Sequence, residues 1–172
     1  MMRILAINGS TRAESANSRF IRAIVRLAGA RAVFTTYPSI ADLPHFNADL
    51  DGDEPPAPVV KFRAWLKEAD AVLICTPEYA MGVPGSLKNA LDWCVGSCSL
   101  SGKPVMLVVA SLGGAKALAS LLDTLQVIEA RVRPETTVHI PFASSKVNAG
   151  AIITDDQAYA SLKQSLHELF GA

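Results

Sequence analysis

The sequence predicts an α/β sandwich around a five-stranded parallel sheet, and three observations carry that expectation. Short, almost purely apolar runs at residues 3–8, 71–75 and 105–110 suit strands covered on both faces. Between them lie segments whose apolar positions recur at helical spacing. The two kinds of segment alternate along the chain, the pattern of crossover connections in a doubly wound sheet.

The first strand, Arg-Ile-Leu-Ala-Ile-Asn at 3–8, ends at Gly9-Ser10. A polar stretch then leads into a helix carrying Phe20, Ile21, Ile24, Val25 and Leu27, which stops at Gly29. Residues 32–35 form a short second strand. The connection after it holds Pro38, Pro44, an acidic cluster at 49–53 and Pro55-Pro56, so it suits neither regular helix nor central strand and is expected to be a solvated surface loop. A helix over about 58–68 precedes the third strand, 71–75. The proline-flanked segment 76–85 opens a third helix, with Ser86 or Gly85 expected near its cap. Strand four covers 105–110, helix four about 115–128, strand five 137–140, and an amphipathic helix 155–170 follows. Five strands in this alternation favour the flavodoxin-like order 2-1-3-4-5, a three-layer sandwich in a single domain spanning 1–172. Ligands of such sheets bind beyond the carboxyl ends of the strands where the strand order reverses. That places the site on the loops after strands one, three and four.

Composition narrows the classes of function. Sixteen Lys and Arg balance 16 Asp and Glu, whereas nucleic-acid binding needs a basic surface that releases counterions from phosphates. The N-terminal apolar run is too short for a secretory segment, and no stretch is long enough to span a bilayer. A cytoplasmic protein with neither nucleic-acid nor membrane partners is the expectation. Cys75, Cys94 and Cys98 are odd in number and read as free thiols. His45, His139 and His167 are scattered and complete no metal-ligand set with them, so no metal site is expected.

The loop after strand one, Gly9-Ser10-Thr11-Arg12-Ala13-Glu14-Ser15-Ala16-Asn17-Ser18, is composed like an anion cradle. Free N–H groups at a helix start, short hydroxyls and an always-charged guanidinium suit a phosphate dianion. The loop is neither Gly-x-Gly-x-x-Gly nor a Walker A sequence, which disfavours a dinucleotide fingerprint and an ATP site. Ser and Asn also cap helices with no ligand present. Arg12 tips the balance, because a cation at a helix N-terminus opposes the macrodipole unless an anion sits there. The loop after strand three, Thr76-Pro77-Glu78-Tyr79-Ala80-Met81-Gly82-Val83-Pro84-Gly85, has a backbone stiffened by prolines that can present N–H and C=O groups to a flat heterocycle. An ordinary turn with Tyr79 packed on the surface fits its composition equally.

Gly9-Ser10-x-Arg12-x-x-Ser15-x-Asn17, then Pro77-Glu78-Tyr79, then Pro84-Gly85-x-Leu87-Lys88-Asn89-Ala90-Leu91-Asp92-Trp93 resemble the NADPH-dependent FMN reductase family, which includes quinone, chromate and azo-dye reductases. The resemblance runs in order along nearly the whole chain. It implies non-covalent FMN, with phosphate contacts from Ser10, Arg12, Ser15 and Asn17, and Ser18 a weaker candidate. It further implies that Pro77, Glu78 and Tyr79 line the isoalloxazine, with nearby main chain from Ala80 and Met81. Many family members have Asn where this chain has Ala80, so a side-chain hydrogen bond there is absent. Lys88, Asn89, Asp92 and Trp93 fit helix packing or subunit contact better than catalysis. The third loop, Ser111-Leu112-Gly113-Gly114-Ala115-Lys116, is shorter than in many relatives. Ser111 and Gly113, with Gly114, either approach the flavin edge or simply start a helix.

The activity implied is NAD(P)H-dependent reduction of bound FMN, with NADPH or NADH as co-substrate, followed by reduction of a quinone, free flavin or another small acceptor. Hydride passes directly between nicotinamide and flavin, so no catalytic side chain is expected, although Glu78 is conceivable as a base. A homodimer or homotetramer follows from the same resemblance. The alternative from another class is a flavodoxin-type electron carrier without NAD(P)H activity, which balanced charge disfavours because such carriers tend to be acidic. A serine hydrolase is disfavoured because Gly82-Val83-Pro84-Gly85-Ser86 is not Gly-x-Ser-x-Gly.

Overall fold

The structure, a computed structural model, describes residues 1–171. Five parallel strands, β1 (Met2–Asn8), β2 (Ala32–Thr36), β3 (Ala71–Thr76), β4 (Pro104–Ala110) and β5 (Arg131–Ile140), lie in the order β2-β1-β3-β4-β5. Helices α1 (Ala16–Ala28) and α5 (Asp156–Phe170) cover one face, and α2 (Ala57–Glu68), α3 (Gly85–Asp92) and α4 (Ala115–Val127) cover the other. The fold is the one the alternation predicts.

The continuous apolar runs have a simple cause. Successive strand residues point to opposite faces, so Leu5, Ile7, Val72, Ile74, Leu107 and Val109 enter one core while Ile4, Ala6, Leu73, Cys75, Met106 and Val108 enter the other. All six residues of β3 are buried. Each fully buried Leu, Ile or Val contributes about 1.5–3 kcal/mol of apolar transfer, so a polar residue anywhere in β3 would be costly. Register places Asn8 beside Cys75 and Thr76 beside Val109, bringing the ends of β1, β3 and β4 together.

Three local expectations need correction. β5 is ten residues long, not four, because an edge strand tolerates Pro134 and absorbs the irregularity as a register shift opposite Val105 and Leu107. α3 is entered from Pro84 with no side-chain cap, so neither Ser86 nor Gly85 performs that role. The connection after β2 is clasped to the body and not merely solvated. Pro44 carbonyl oxygen accepts from Asn89 Nδ2 at 3.0 Å and Trp93 Nε1 at 2.8 Å, while the Phe46 amide donates to Asn89 Oδ1 at 2.7 Å. Asn89 and the buried Trp93 are thus packing residues, as expected for that helix, and Lys88 pairs with Asp92 at 2.6 Å. Cys75 and Cys94 are buried free thiols and Cys98 is an exposed one. Among the described residues, no helix is long and apolar enough to cross a membrane.

Candidate functional site

The loop from β1 to α1 begins with a close approach. A Cβ at Gly9 would stand 2.2 Å from Thr76 Oγ1, so only glycine lets the end of β1 lie against the end of β3. Ser10 is buried, its amide donates to Asn8 Oδ1 at 3.0 Å, and its hydroxyl lies 3.3 Å from Tyr79 Oη. That contact joins the first two loops. The Arg12 amide reaches Ser10 Oγ at 3.4 Å, and the Arg12 side chain is exposed with no ion pair among the described residues. Glu14, the one acid in this loop, is drawn to Arg22 at 3.4 Å.

Ser15 and Ser18 form a reciprocal capping box: Ser18 N donates to Ser15 Oγ and Ser15 N donates to Ser18 Oγ, both at 3.0 Å. Ser18 Oγ also donates to Ser15 carbonyl oxygen, which commits its proton, whereas the Ser15 hydroxyl proton remains available to a ligand. The amides of Ala16 and Asn17, at the first two helical positions, have no acceptor among the described residues. Asn17 is buried and its Oδ1 accepts from the Cys75 thiol at 3.3 Å, which leaves its amide N–H groups to donate. Burial pushes the Cys75 thiol far up, so it stays protonated as that donor.

In the loop from β3 to α3, Pro77 is buried and Tyr79 to Gly82 form a tight turn closed by two backbone hydrogen bonds of 3.0 and 2.9 Å. Its central residues, Ala80 at φ 48° and Met81 at φ 62°, both occupy the left-handed region that Asn and Gly adopt more easily. The turn thrusts Tyr79 and Met81 outward, 47% and 68% exposed. Beyond β4, Leu112 is 76% exposed, and the Phe142 amide at the end of β5 donates to the Leu112 carbonyl oxygen at 3.1 Å. Exposed apolar side chains, Tyr79, Met81, Leu112 and Phe142, are therefore carried on loops at the carboxyl end of the sheet, termed the apolar shelf. A cavity of about 220 Å³ lies apart from this edge, beside Arg3, Val33 and Trp65 at the amino ends of the strands.

Glu78 behaves differently from its neighbours. Its carboxylate turns away from the first loop and accepts from the amides of Lys116 and Ala117, each at 2.9 Å, at the start of α4. These helix amides, Ala117 foremost, hold it below the usual carboxylate range despite partial desolvation. A carboxylate engaged in this way is poorly suited to act as a base. Ser111 Oγ accepts from the Glu78 amide at 3.0 Å, and Gly113 is exposed beside it.

The structure thus gathers Ser10, Arg12, Ser15, Asn17, Pro77, Glu78, Tyr79, Ala80, Met81, Ser111 and Gly113 on one edge, with Ser18 spent as a cap. Sequence reasoning missed the grip of Glu78 on α4 and the exposed Phe142 and Leu112. One signal existed for the first: α4 starts at Gly114-Ala115 with no Ser, Thr, Asp or Asn to cap it.

The donor chemistry of this edge fits FMN. An unpaired guanidinium, a hydroxyl proton, a side-chain amide and free helix amides match a phosphate dianion, and the apolar shelf matches a flat ring. Known proteins agree. The profile of the NADPH-dependent FMN reductase family matches residues 2–145. A quinone reductase of Escherichia coli is 37% identical over 142 residues, covering 78% of this chain and 76% of that protein. An NAD(P)H-dependent FMN reductase of Pseudomonas aeruginosa is 31% identical over 173 residues, covering 98% and 93%. The solved flavoenzyme NAD(P)H:(acceptor) oxidoreductase of Paracoccus denitrificans superposes with a TM-score of 0.85 at 29% identity, covering 99% of this chain and 96% of that one. An archaeal flavodoxin matches at a TM-score of 0.66 and 13% identity, which shows the fold alone. With loop chemistry, strand order and relatives in agreement, this chain belongs to the NADPH-dependent FMN reductase family.

Proposed function

We infer that the chain, acting as one domain over 1–172, is an NAD(P)H-dependent FMN-containing oxidoreductase that passes electrons to a small acceptor such as a quinone. The observation that carries this reading is the pairing of a free Arg12 and free α1 amides with an adjoining apolar shelf. When bound, FMN accepts hydride from NAD(P)H and supplies the reducing power for the acceptor.

The residues of this chain bind and orient. Arg12, the Ser15 hydroxyl, the Asn17 side-chain amide and the Ala16 and Asn17 main-chain amides hold the phosphate, a contact whose charge assistance makes it the strongest in the site. Ser10 fixes the phosphate loop to Tyr79, so that phosphate and ring positions are set together. Tyr79, Met81 and Leu112 exclude water from the ring, while the main chain of Pro77 to Met81 and of Ser111 to Gly113 offers donors and acceptors to its polar edge. Positioning of this kind would hold two flat reactants in register, and the fixed N–H groups of these loops would offer hydrogen bonds to negative charge at the polar edge of the ring. No titrating side chain is required. A cytoplasmic homodimer or homotetramer completes the reading, as the family resemblance of the sequence implies.

The test is the visible spectrum of the protein reconstituted with FMN, followed by anaerobic mixing with NADPH and NADH separately. Rapid bleaching is expected. A flavin that binds and stays oxidised would make the chain an electron carrier instead, and failure to take FMN would overturn the site.

A further inference from the structure

We propose that Glu78 is a positioning residue that presets the third loop, Ser111 to Gly114, against the flavin shelf by serving as the missing N-terminal cap of α4. The use of that loop rests on the FMN reading above; the latch itself rests on geometry alone. α4 has no capping side chain of its own, and a helix start leaves amides without intrahelical partners. The Glu78 carboxylate, 38 residues earlier than Lys116, fills the gap: Oε2 accepts from Lys116 N and Ala117 N together. Glu78 Oε1 lies 3.2 Å from where a Cβ at Gly113 would stand, so the loop lies directly over the latch.

The peptide of Glu78 adds a second tie. Its N–H donates to Ser111 Oγ at 3.0 Å, and its carbonyl oxygen faces the same hydroxyl at 3.4 Å. From the opposite side, a ring nitrogen of His139 lies 2.8 Å from the Gly113 carbonyl oxygen, and a Cβ at Gly114 would stand 2.7 Å from that nitrogen. The Ala143 amide donates to the Ser111 carbonyl oxygen at 2.9 Å. The third loop is therefore held between Glu78 and the end of β5, and the loop carrying Pro77 to Tyr79 cannot shift without it. The Glu78 side chain and peptide together tie two separate loops into a single surface for the ring.

The test combines amide hydrogen exchange on the flavin-free protein with binding of FMN and riboflavin, read by flavin fluorescence. Glu78→Ala should speed exchange at 113–117 and weaken FMN and riboflavin alike, by about tenfold, the scale of one lost charge-assisted hydrogen bond. Glu78→Gln keeps an oxygen acceptor for the two amides and should recover most of both signals, which a side chain needed only for its charge would not do. Unchanged exchange in Glu78→Ala overturns the latch. Unchanged riboflavin affinity, or a Glu78→Gln variant as impaired as Glu78→Ala, overturns the positioning role. A wild-type chain that binds neither ligand refutes the FMN reading, and with it the use assigned to the loop, whatever exchange shows.

Discussion

The loop from β1 to α1 closes several of its hydrogen bonds over two or three residues of chain, from Ser10 to Asn8, Arg12 to Ser10 and Ser15 to Ser18, beside its longer ties to Cys75 and Tyr79. The ring end closes its own over 33 to 39, from Glu78 to Ser111 and Ala117. The phosphate end thus carries a local capping box besides its ties to Cys75 and Tyr79, whereas the third loop is held to Glu78 only across the β3–β4 pair. The first offers charge and donors that favour one ligand group. The second offers a surface whose shape depends on distant ties. Losses at the two ends should therefore differ in kind.

The largest difference is expected from Arg12→Ala. Removing a charge-assisted contact of about 1.5–3 kcal/mol should weaken FMN by roughly tenfold to a hundredfold while leaving riboflavin unchanged, since only FMN carries the phosphate. Titration of both ligands into the same variant measures it. Equal losses would move Arg12 out of the phosphate end and dissolve the contrast.

The same contrast governs what could be read from the sequence. The strand order and the donor-rich start of α1 were legible because both rest on local patterns: unbroken apolar runs for strands buried on two faces, and hydroxyls with an Arg before a helix. The role of Glu78 was not legible, because its partners are backbone amides that no residue type announces. The clasp of the β2–α2 connection was hidden for a related reason. Proline and acidic residues mark a loop correctly, but nothing in them says that the Pro44 carbonyl will be met by Asn89 and Trp93. β5 was underestimated because Pro134 looks like a strand terminus, and only an edge position with a shifted register accommodates it.

Two substitutions should move stability in opposite directions, by about 1 kcal/mol or less each. Ser15→Ala removes the N-cap of α1, a local loss of about 1 kcal/mol that should be present in the flavin-free protein. Ala80→Asn places a residue that tolerates the left-handed region where Ala now sits at φ 48°, and should stabilise by about 0.5–1 kcal/mol. Urea unfolding of both variants without ligand gives the two values. A neutral Ser15→Ala would mean that the phosphate loop is not self-organised. A destabilised Ala80→Asn would mean that the turn is held by its surroundings and not strained by its own residues.

The smallest expected effect is on pH dependence, and over pH 7 to 5 it is confined to the phosphate end. A phosphate monoester loses its second proton near pH 6, and Arg12 remains charged throughout, so the dianion binds best. FMN affinity should be complete above that value and fall by about threefold between pH 7 and 5, since the monoanion still pairs with Arg12. At the ring end, Glu78 is held below the usual carboxylate range by the α4 amides. A group with a depressed folded pKa contributes fully above its unfolded value and is lost only as pH falls through the lower folded one. Riboflavin, which senses only the ring end, should therefore bind with unchanged affinity over the same interval. Fluorescence titrations of both flavins at pH 7, 6 and 5 measure the difference. Parallel falls for the two flavins would show that the latch at Glu78, on which both depend, and not the phosphate, is the acid-sensitive element.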